Sequence, residues 1–210
     1  MVILGDEHEI TFQEYYDFQA RARYPAATNK IDNACGKAKS HGFSYLWIDS
    51  CCIDKKSSNE LSEAINSMFK WYQNSKRCYV FLSDFQSGLT ESRSKNPTPI
   101  TEAQRAKFSE CRWFKRGWTL QELLAPRNAL FYDCNWFFFG FVSEITPLLS
   151  TITKIPQDVL NGTMPLYNYS VAQKMSWAAT RQTTREEDMA YCLFGLFRIC
   201  LLYTSPSPRD

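Results

Sequence analysis

The sequence predicts an α/β fold: a parallel sheet flanked by helices, with a helical extension after about Trp136. Three observations carry that prediction. Short apolar runs rich in aromatic and β-branched residues alternate with longer amphipathic segments, and a helix lying between two such runs is the mark of a crossover joining parallel strands. The runs are apolar at successive positions, as strands covered on both faces must be. The chain has 210 residues, of which 44% are hydrophobic and 15% aromatic, enough for one domain with a substantial core.

Each element follows in order. "TNKIDNACGKAKSHG" reads as a helix that Thr28 can cap, with Ile31, Ala34, Cys35 and Ala38 on one face and Gly42 at its end. "FSYLWID" follows as a buried strand ending at Asp49. "SSNELSEAINSMFKWYQNS" is the strongest helix. Ser57 and Glu60 have capping-box spacing, and Leu61, Ile65, Met68 and Tyr72 form the face expected on the sheet, with Glu63 and Lys70 toward water. "RCYVFLSD" is the next strand. Gln86 to Ile100 is a polar loop, residues 101–125 are one helix or two, and "NALFYD" is a third strand. All three strands are expected to be parallel. Beyond Trp136 the pattern turns helical, including "SVAQKMSWAATR" and "REEDMAYCLFGLF", the latter capped by Thr184 with Glu187 three residues on. "TSPSPRD" (Thr204–Asp210) has no apolar periodicity and reads as an adaptor-derived tail, so the domain is taken as residues 1–203 and the tail as 204–210.

Composition excludes several classes. Net charge is +2 with both signs interspersed, so no basic patch for nucleic acid is present. The longest apolar run, Trp136–Val142, is far short of the about 20 residues that span a bilayer. "MVILGDEHEI" lacks the cationic start of a secretory signal, which points to the cytoplasm. The eight cysteines sit mostly in apolar stretches and read as reduced thiols. There are two histidines and no CxxC, HExxH, P-loop or GxGxxG pattern, so neither a metal nor a bound cofactor is expected. Adjacent Cys51 and Cys52, on a strand, would point to opposite faces.

Candidate chemistry gathers in few places. Asp49 ends a strand, where open α/β sheets place ligand crevices; the same Asp could merely hold the following turn. Arg112 and Arg116 can bind an anion or be solvated. "RWFKRGWTLQELLAP" carries a single carboxylate, Glu122, four residues after Trp118 and so on its helix face. An indole beside it would desolvate the carboxyl and raise its pKa. The sequence leaves open whether Glu122 is chemical or a surface charge.

"YLWIDSCCIDKKSSNELSEAINSMFKWYQNSKRCYVFLSD", "CRWFKRGWTLQELLAP" and "SVAQKMSWAATRQTTREEDMAYCLFGLF" together resemble the heterokaryon-incompatibility (HET) domain of filamentous fungi, from about Gly5 to Phe197. Members usually open with a strand ending Ser-x-x-Trp-Gly; here Leu4 stands where the Trp would be. They continue past the last helix into Pro-Leu-Leu-Tyr-Gly-Glu-Gly, where this chain has "LLY" and then its tail. The resemblance implies a chain lacking its first strand and its native end. It also implies a cell-death effector of non-self recognition, with homotypic or other HET and signalling domains as partners.

The order of elements is similar, more distantly, to the TIR domain, which implies a flavodoxin-like sheet. Trp118, Glu122 and Leu123 match the Trp-Cys-x-x-Glu-Leu motif of enzymatic TIR domains, with Thr119 in place of the Cys. In those enzymes the Glu supports cleavage of the nicotinamide–ribose bond of NAD, so NAD becomes a possible substrate. Glu122 is then the catalytic candidate, and Asp49, Cys51, Asp54, Arg112, Arg116, Trp118 and Gln121 are the candidate pocket. Many TIR domains are scaffolds, and the enzyme and assembly readings both stand at this point. Glu122 and Asp49 are expected to border one pocket, with Glu122 at least half buried.

Overall fold

The computed structural model describes residues 8–89 and 99–200. Short helices α1 (Phe12–Tyr15) and α2 (Phe18–Arg23) lead into α3 (Pro25–Ser40). α4 (Asp49–Cys52) and α5 (Ser58–Asn74) precede strand β1 (Cys78–Phe81). Then come α6 (Glu102–Ser109), a 3-10 turn (Arg112–Lys115), α7 (Thr119–Leu124), β2 (Ala129–Tyr132) and β3 (Phe138–Phe141). Helices α8 (Val142–Thr153), α9 (Gln157–Leu160), α10 (Val171–Ala178), α11 (Asp188–Tyr191) and α12 (Phe194–Phe197) complete the chain, with a 3-10 turn at Leu166–Asn168.

The sheet has three strands in the order β1-β2-β3. β1 and β2 are parallel, pairing Cys78 with Ala129 and Phe81 with Tyr132, as their sequences predict. β2 and β3 are antiparallel, with an irregularity between Phe131 and Tyr132. Period-2 alternation divides the strand residues between two cores. Cys78, Val80, Ala129 and Phe131 enter the larger cluster, with α5, α7 and α8. Tyr79, Phe81, Leu130 and Tyr132 enter the smaller one, with Ile31, Ala34 and Ala38 of α3.

Four expectations need correction. "FSYLWID" is not a strand. Ile48 is extended (φ −135°, ψ 125°), but its carbonyl accepts from Cys52 N–H at 2.8 Å and so starts α4. Among the described residues no strand pairs with the outer edge of β1, so the segment buries Ile48 beside Tyr79 and Phe81 without forming a ladder.

The chain after Trp136 does not go straight into helix. Buried Asp133 accepts main-chain bonds from Asn135 (2.9 Å) and Phe137 (3.0 Å), Trp136 takes φ 60°, and the chain returns as β3. The sheet is therefore mixed, not wholly parallel.

The buried face of α5 is centred on Ala64, Met68 and Tyr72, with Ile65 half-buried. It meets α7 and α12 rather than lying on the sheet alone. Gly195 allows that approach, because a Cβ there would collide with Phe69.

Finally, "REEDMAYCLFGLF" is two short helices, and Thr184 caps neither. The Cys192 carbonyl is taken by Gln121 Nε2 at 2.8 Å, and Leu196 N–H bonds back to Leu193 instead.

Most of the predicted loop Gln86–Ile100 and all of the tail Thr204–Asp210 lie outside the described residues, as does Leu4. No helix among those described is long and apolar enough to cross a membrane.

Candidate functional site

A cleft of about 830 Å³ opens at the carboxyl end of β1, bordered by Leu82, Ser83 and Asp84. This is where α/β sheets place ligands. α4 contributes Asp49, α5 contributes Met68 and Tyr72, and the stretch from Arg112 to Glu122 forms a second wall. The third wall, from Gln182 to Tyr191, comes from the C-terminal part.

That third wall is tied directly to the second. Gln182 N–H donates to the Lys115 carbonyl at 2.6 Å, and Gly117 N–H to the Gln182 carbonyl at 2.8 Å. A Cβ on Gly117 would lie 2.5 Å from Thr183 Cγ2, so the two walls touch only because this residue has no side chain. Arg181, itself buried, donates to the Arg116 carbonyl (2.9 Å) and to Thr119 Oγ1 (2.7 Å), fixing the turn that starts α7.

Glu122 sits at the deep end, 2% exposed. Trp113 Nε1 donates to its Oε2 at 3.0 Å, while Oε1 has no hydrogen-bond partner among the described residues. Burial pushes its pKa up to about 8; Asp49 adds to the rise, and the Trp113 bond and Arg116 oppose it. Glu122 is therefore largely protonated at neutral pH. The indole hydrogen-bonded to it is that of Trp113, not Trp118. Trp118 lies half-buried at the start of α7 and lines the same cleft.

Asp49 is half-buried at the start of α4. Its pKa is also raised, by burial first and then by Glu9. Tyr72 places its hydroxyl beside Glu122, likewise without a hydrogen-bond partner within bonding geometry. The cleft thus holds two carboxyl groups whose pKa values are raised, and two buried oxygens without a hydrogen-bond partner among the described residues.

The cleft brings together Asp49, Arg112, Arg116, Trp118 and Glu122. Arg112 is bound to Asp84, its N–H at 2.8 Å and its Nε at 3.3 Å from Oδ2. The Arg116 side chain makes no hydrogen bond or ion pair among the described residues and lies close enough to Glu122 and Asp49 to lower both pKa values.

Three other candidates lie elsewhere. Cys51 is buried in the smaller core beside Ala34. Asp54 is a turn residue that accepts from Lys56 N–H at 2.9 Å and Gln13 Nε2 at 2.6 Å. Gln121 is wholly buried behind the wall, on the Cys192 carbonyl.

The sequence reading missed Tyr72, Trp113 and Arg181. Tyr72 carried a signal, a hydroxyl on the apolar face of α5. Arg181 carried a weaker one, a cation at the end of the helical segment "SVAQKMSWAATR". Among the described residues no group of His, Cys, Asp and Glu gathers in a way that could hold a metal ion.

Comparison with known proteins fits these features. Residues 5–122 match the family model described as heterokaryon incompatibility protein (HET), and Glu122 is the last residue matched. Vegetative incompatibility protein HET-E-1 of Podospora anserina is 41% identical over 196 residues, covering 93% of this chain. The chain spans only 14% of that relative's length. No solved structure matches. With more than half of its length matched by one family model, and a cleft built largely from that half, this chain belongs to the heterokaryon incompatibility (HET) family.

Proposed function

We propose that this chain is the effector domain of a larger fungal incompatibility protein, acting in the cytoplasm to trigger cell death on non-self recognition, and that its cleft cleaves the nicotinamide–ribose bond of NAD. The observation that carries the chemical part is Glu122, buried in the lining of a cleft large enough for a nucleotide, with Oε1 lacking a hydrogen-bond partner among the described residues. The spacing of Trp118, Glu122 and Leu123 and the parallel β1–β2 pair support a TIR-like reading of that cleft.

The chemistry follows from charge. Nicotinamide joined to ribose is cationic, and its departure leaves oxocarbenium character on the sugar. A cation entering beside Glu122 draws its pKa down and leaves a carboxylate where positive charge develops. Trp118 offers a stacking face for the cationic ring. Arg116, which lines the cleft within electrostatic reach of Glu122 and Asp49, meets a phosphate. Asp49 raises the cost of a bare anion at the deep end and so favours a cationic or neutral group there.

A second reading is favoured by Tyr16 and Phe18, 78% and 85% exposed at the ends of α1 and α2. In that reading the domain acts by assembling with its own kind or with other signalling domains, and downstream partners kill.

The experiment is Glu122→Gln in the full-length protein, scored for cell death and NAD consumption. Loss of both supports the glycohydrolase. Loss of killing in a parent that never consumes NAD supports assembly. Undiminished killing removes Glu122 from either mechanism.

A further inference from the structure

We propose that Cys52 and Cys51 form a peroxide-reactive dithiol, in which Cys52 is oxidised first and Cys51 resolves it. The inference stands apart from the cleft chemistry. The two residues end α4, the helical turn whose first residue, Asp49, borders the cleft.

Geometry distinguishes Cys52 from the other cysteines. Its sulfur accepts the Ile48 N–H at 3.4 Å, a main-chain donor aimed at the thiol. Cys51, its neighbour, is buried, with Sγ 4.0 Å from the Ile48 carbonyl. Cys52 itself is only partly buried. The neighbouring Cys51 thiol, aided by the Ile48 N–H, holds the Cys52 thiol below its ordinary pKa, against burial and the charge of Asp49. The same pairing and burial push Cys51 up. One thiol is therefore poised as the thiolate and the adjacent one holds the proton, which is the division of labour between an attacking and a resolving cysteine. Burial raises the pKa of Cys35, Cys78, Cys111, Cys134 and Cys192.

The steps balance with a hydroperoxide as the oxidant. The Cys52 thiolate attacks one peroxide oxygen; the S–O bond forms, the O–O bond breaks, and the departing alkoxide or hydroxide takes up a proton. Sulfur is oxidised by two electrons to the sulfenic acid. The Cys51 sulfur then attacks the Cys52 sulfur, the S–S bond forms, and the hydroxyl leaves as water with the Cys51 proton. In sum, two thiols and one hydroperoxide give one disulfide, one alcohol or water, and one water.

The product is strained, and that makes it reversible. Adjacent Cα atoms are about 3.8 Å apart across a trans peptide, below the about 4.4–6.8 Å that disulfides prefer. Strained disulfides are the reducible, regulatory kind. Forming one at Cys51–Cys52 must open α4 and shift Asp49, so the cleft would sense the oxidation.

The test uses the whole chain, folded and reduced, with one equivalent of hydrogen peroxide, dimedone to trap sulfenic acid, and peptide mass mapping. Cys52 should be labelled several-fold faster than exposed Cys35 and Cys200. Without dimedone, the Cys51–Cys52 peptide should lose two hydrogens and regain them with dithiothreitol. In Cys51→Ser the Cys52 sulfenic acid should persist. Faster labelling of Cys35 or Cys200, or a wild-type Cys52 sulfenic acid as long-lived as that of Cys51→Ser, would overturn the proposal. Circular dichroism of Cys51→Ser and Cys52→Ser, together with labelling of their remaining thiols, separates a lost reaction from a lost fold.

Discussion

On one face of the sheet Phe85, Phe108, Phe131 and Phe139 interlock, with ring centroids 4.9 to 5.6 Å apart. On the other, α3 brings Ala27, Ala34 and Ala38 into a cluster with Tyr79, Phe81, Tyr132 and Trp136. The first face joins large groups to large groups and leaves little that can relax. The second joins methyls to rings whose polar ends still find partners, such as Tyr79 with His41 Nδ1 at 2.9 Å. The candidate cleft lies toward the first face, where a rigid wall can hold a carboxyl that would prefer water. Rigidity on one side and tolerance on the other is a contrast that measurement can break.

The largest effect is expected from Phe108→Ala. The ring is fully buried and touches Phe85, Phe114, Phe131 and Phe139. Its removal should cost about 3–5 kcal/mol in urea unfolding. A loss no larger than that of an α3 substitution would erase the contrast.

Next comes the pH dependence of Glu122. Its folded pKa, about 8, lies above the ordinary 4.5, so the unfolded chain releases a proton that the folded chain keeps. The associated stability is complete below 4.5 and is lost as pH rises to about 8. The loss should be on the order of a few kcal/mol across that window. Glu122→Gln should flatten the curve; an unchanged slope would place the titration elsewhere. On the opposite face His41 behaves with the reverse sign. Burial, then Arg77 and Lys37, hold it below its usual value, so its contribution is present above about that value and is lost as pH falls through its folded pKa.

Ala34→Leu overfills the smaller core and should cost about 1–3 kcal/mol by unfolding. Its Cβ is wholly buried, yet its neighbours include half-buried rings that can move. A cost above that of Phe108→Ala would reverse the ranking of the two faces. The smallest effect is expected at Tyr45, 94% exposed in the segment that leads to Ile48 and α4. Tyr45→Ser should stay within about 0.5 kcal/mol in the same assay.

What could be read in advance depended on how local the cause was. α5 was legible because Ser57 caps it and its apolar residues repeat at helical spacing. The β1–β2 pairing was legible because a helical segment separates two apolar runs. The fate of "FSYLWID" was not, because a strand needs a neighbour and the claim of α4 on the Ile48 carbonyl is a contest between adjacent segments. The split of the last helix was not, because its cause, Gln121, lies 71 residues away. The same holds within the site. Trp118 and Glu122 could be grouped by spacing, whereas Trp113 reaches Glu122, and Arg181 the turn behind the wall, only through the folded path of the chain.

The junction of Arg181 and Gln182 with residues 115–119 also sets a timetable. During synthesis Asp49, Trp113 and Glu122 all leave the ribosome well before the segment that closes their cleft. A nascent chain that has emerged only through α8 carries Glu122 but has neither the Arg181 clamp nor the wall from Gln182 to Tyr191. At about 5–20 residues per second, some seconds pass in which the site is present in sequence yet absent in shape. The cleft is thereby withheld from incomplete copies, because the wall from Gln182 to Tyr191 is made after the residues it encloses.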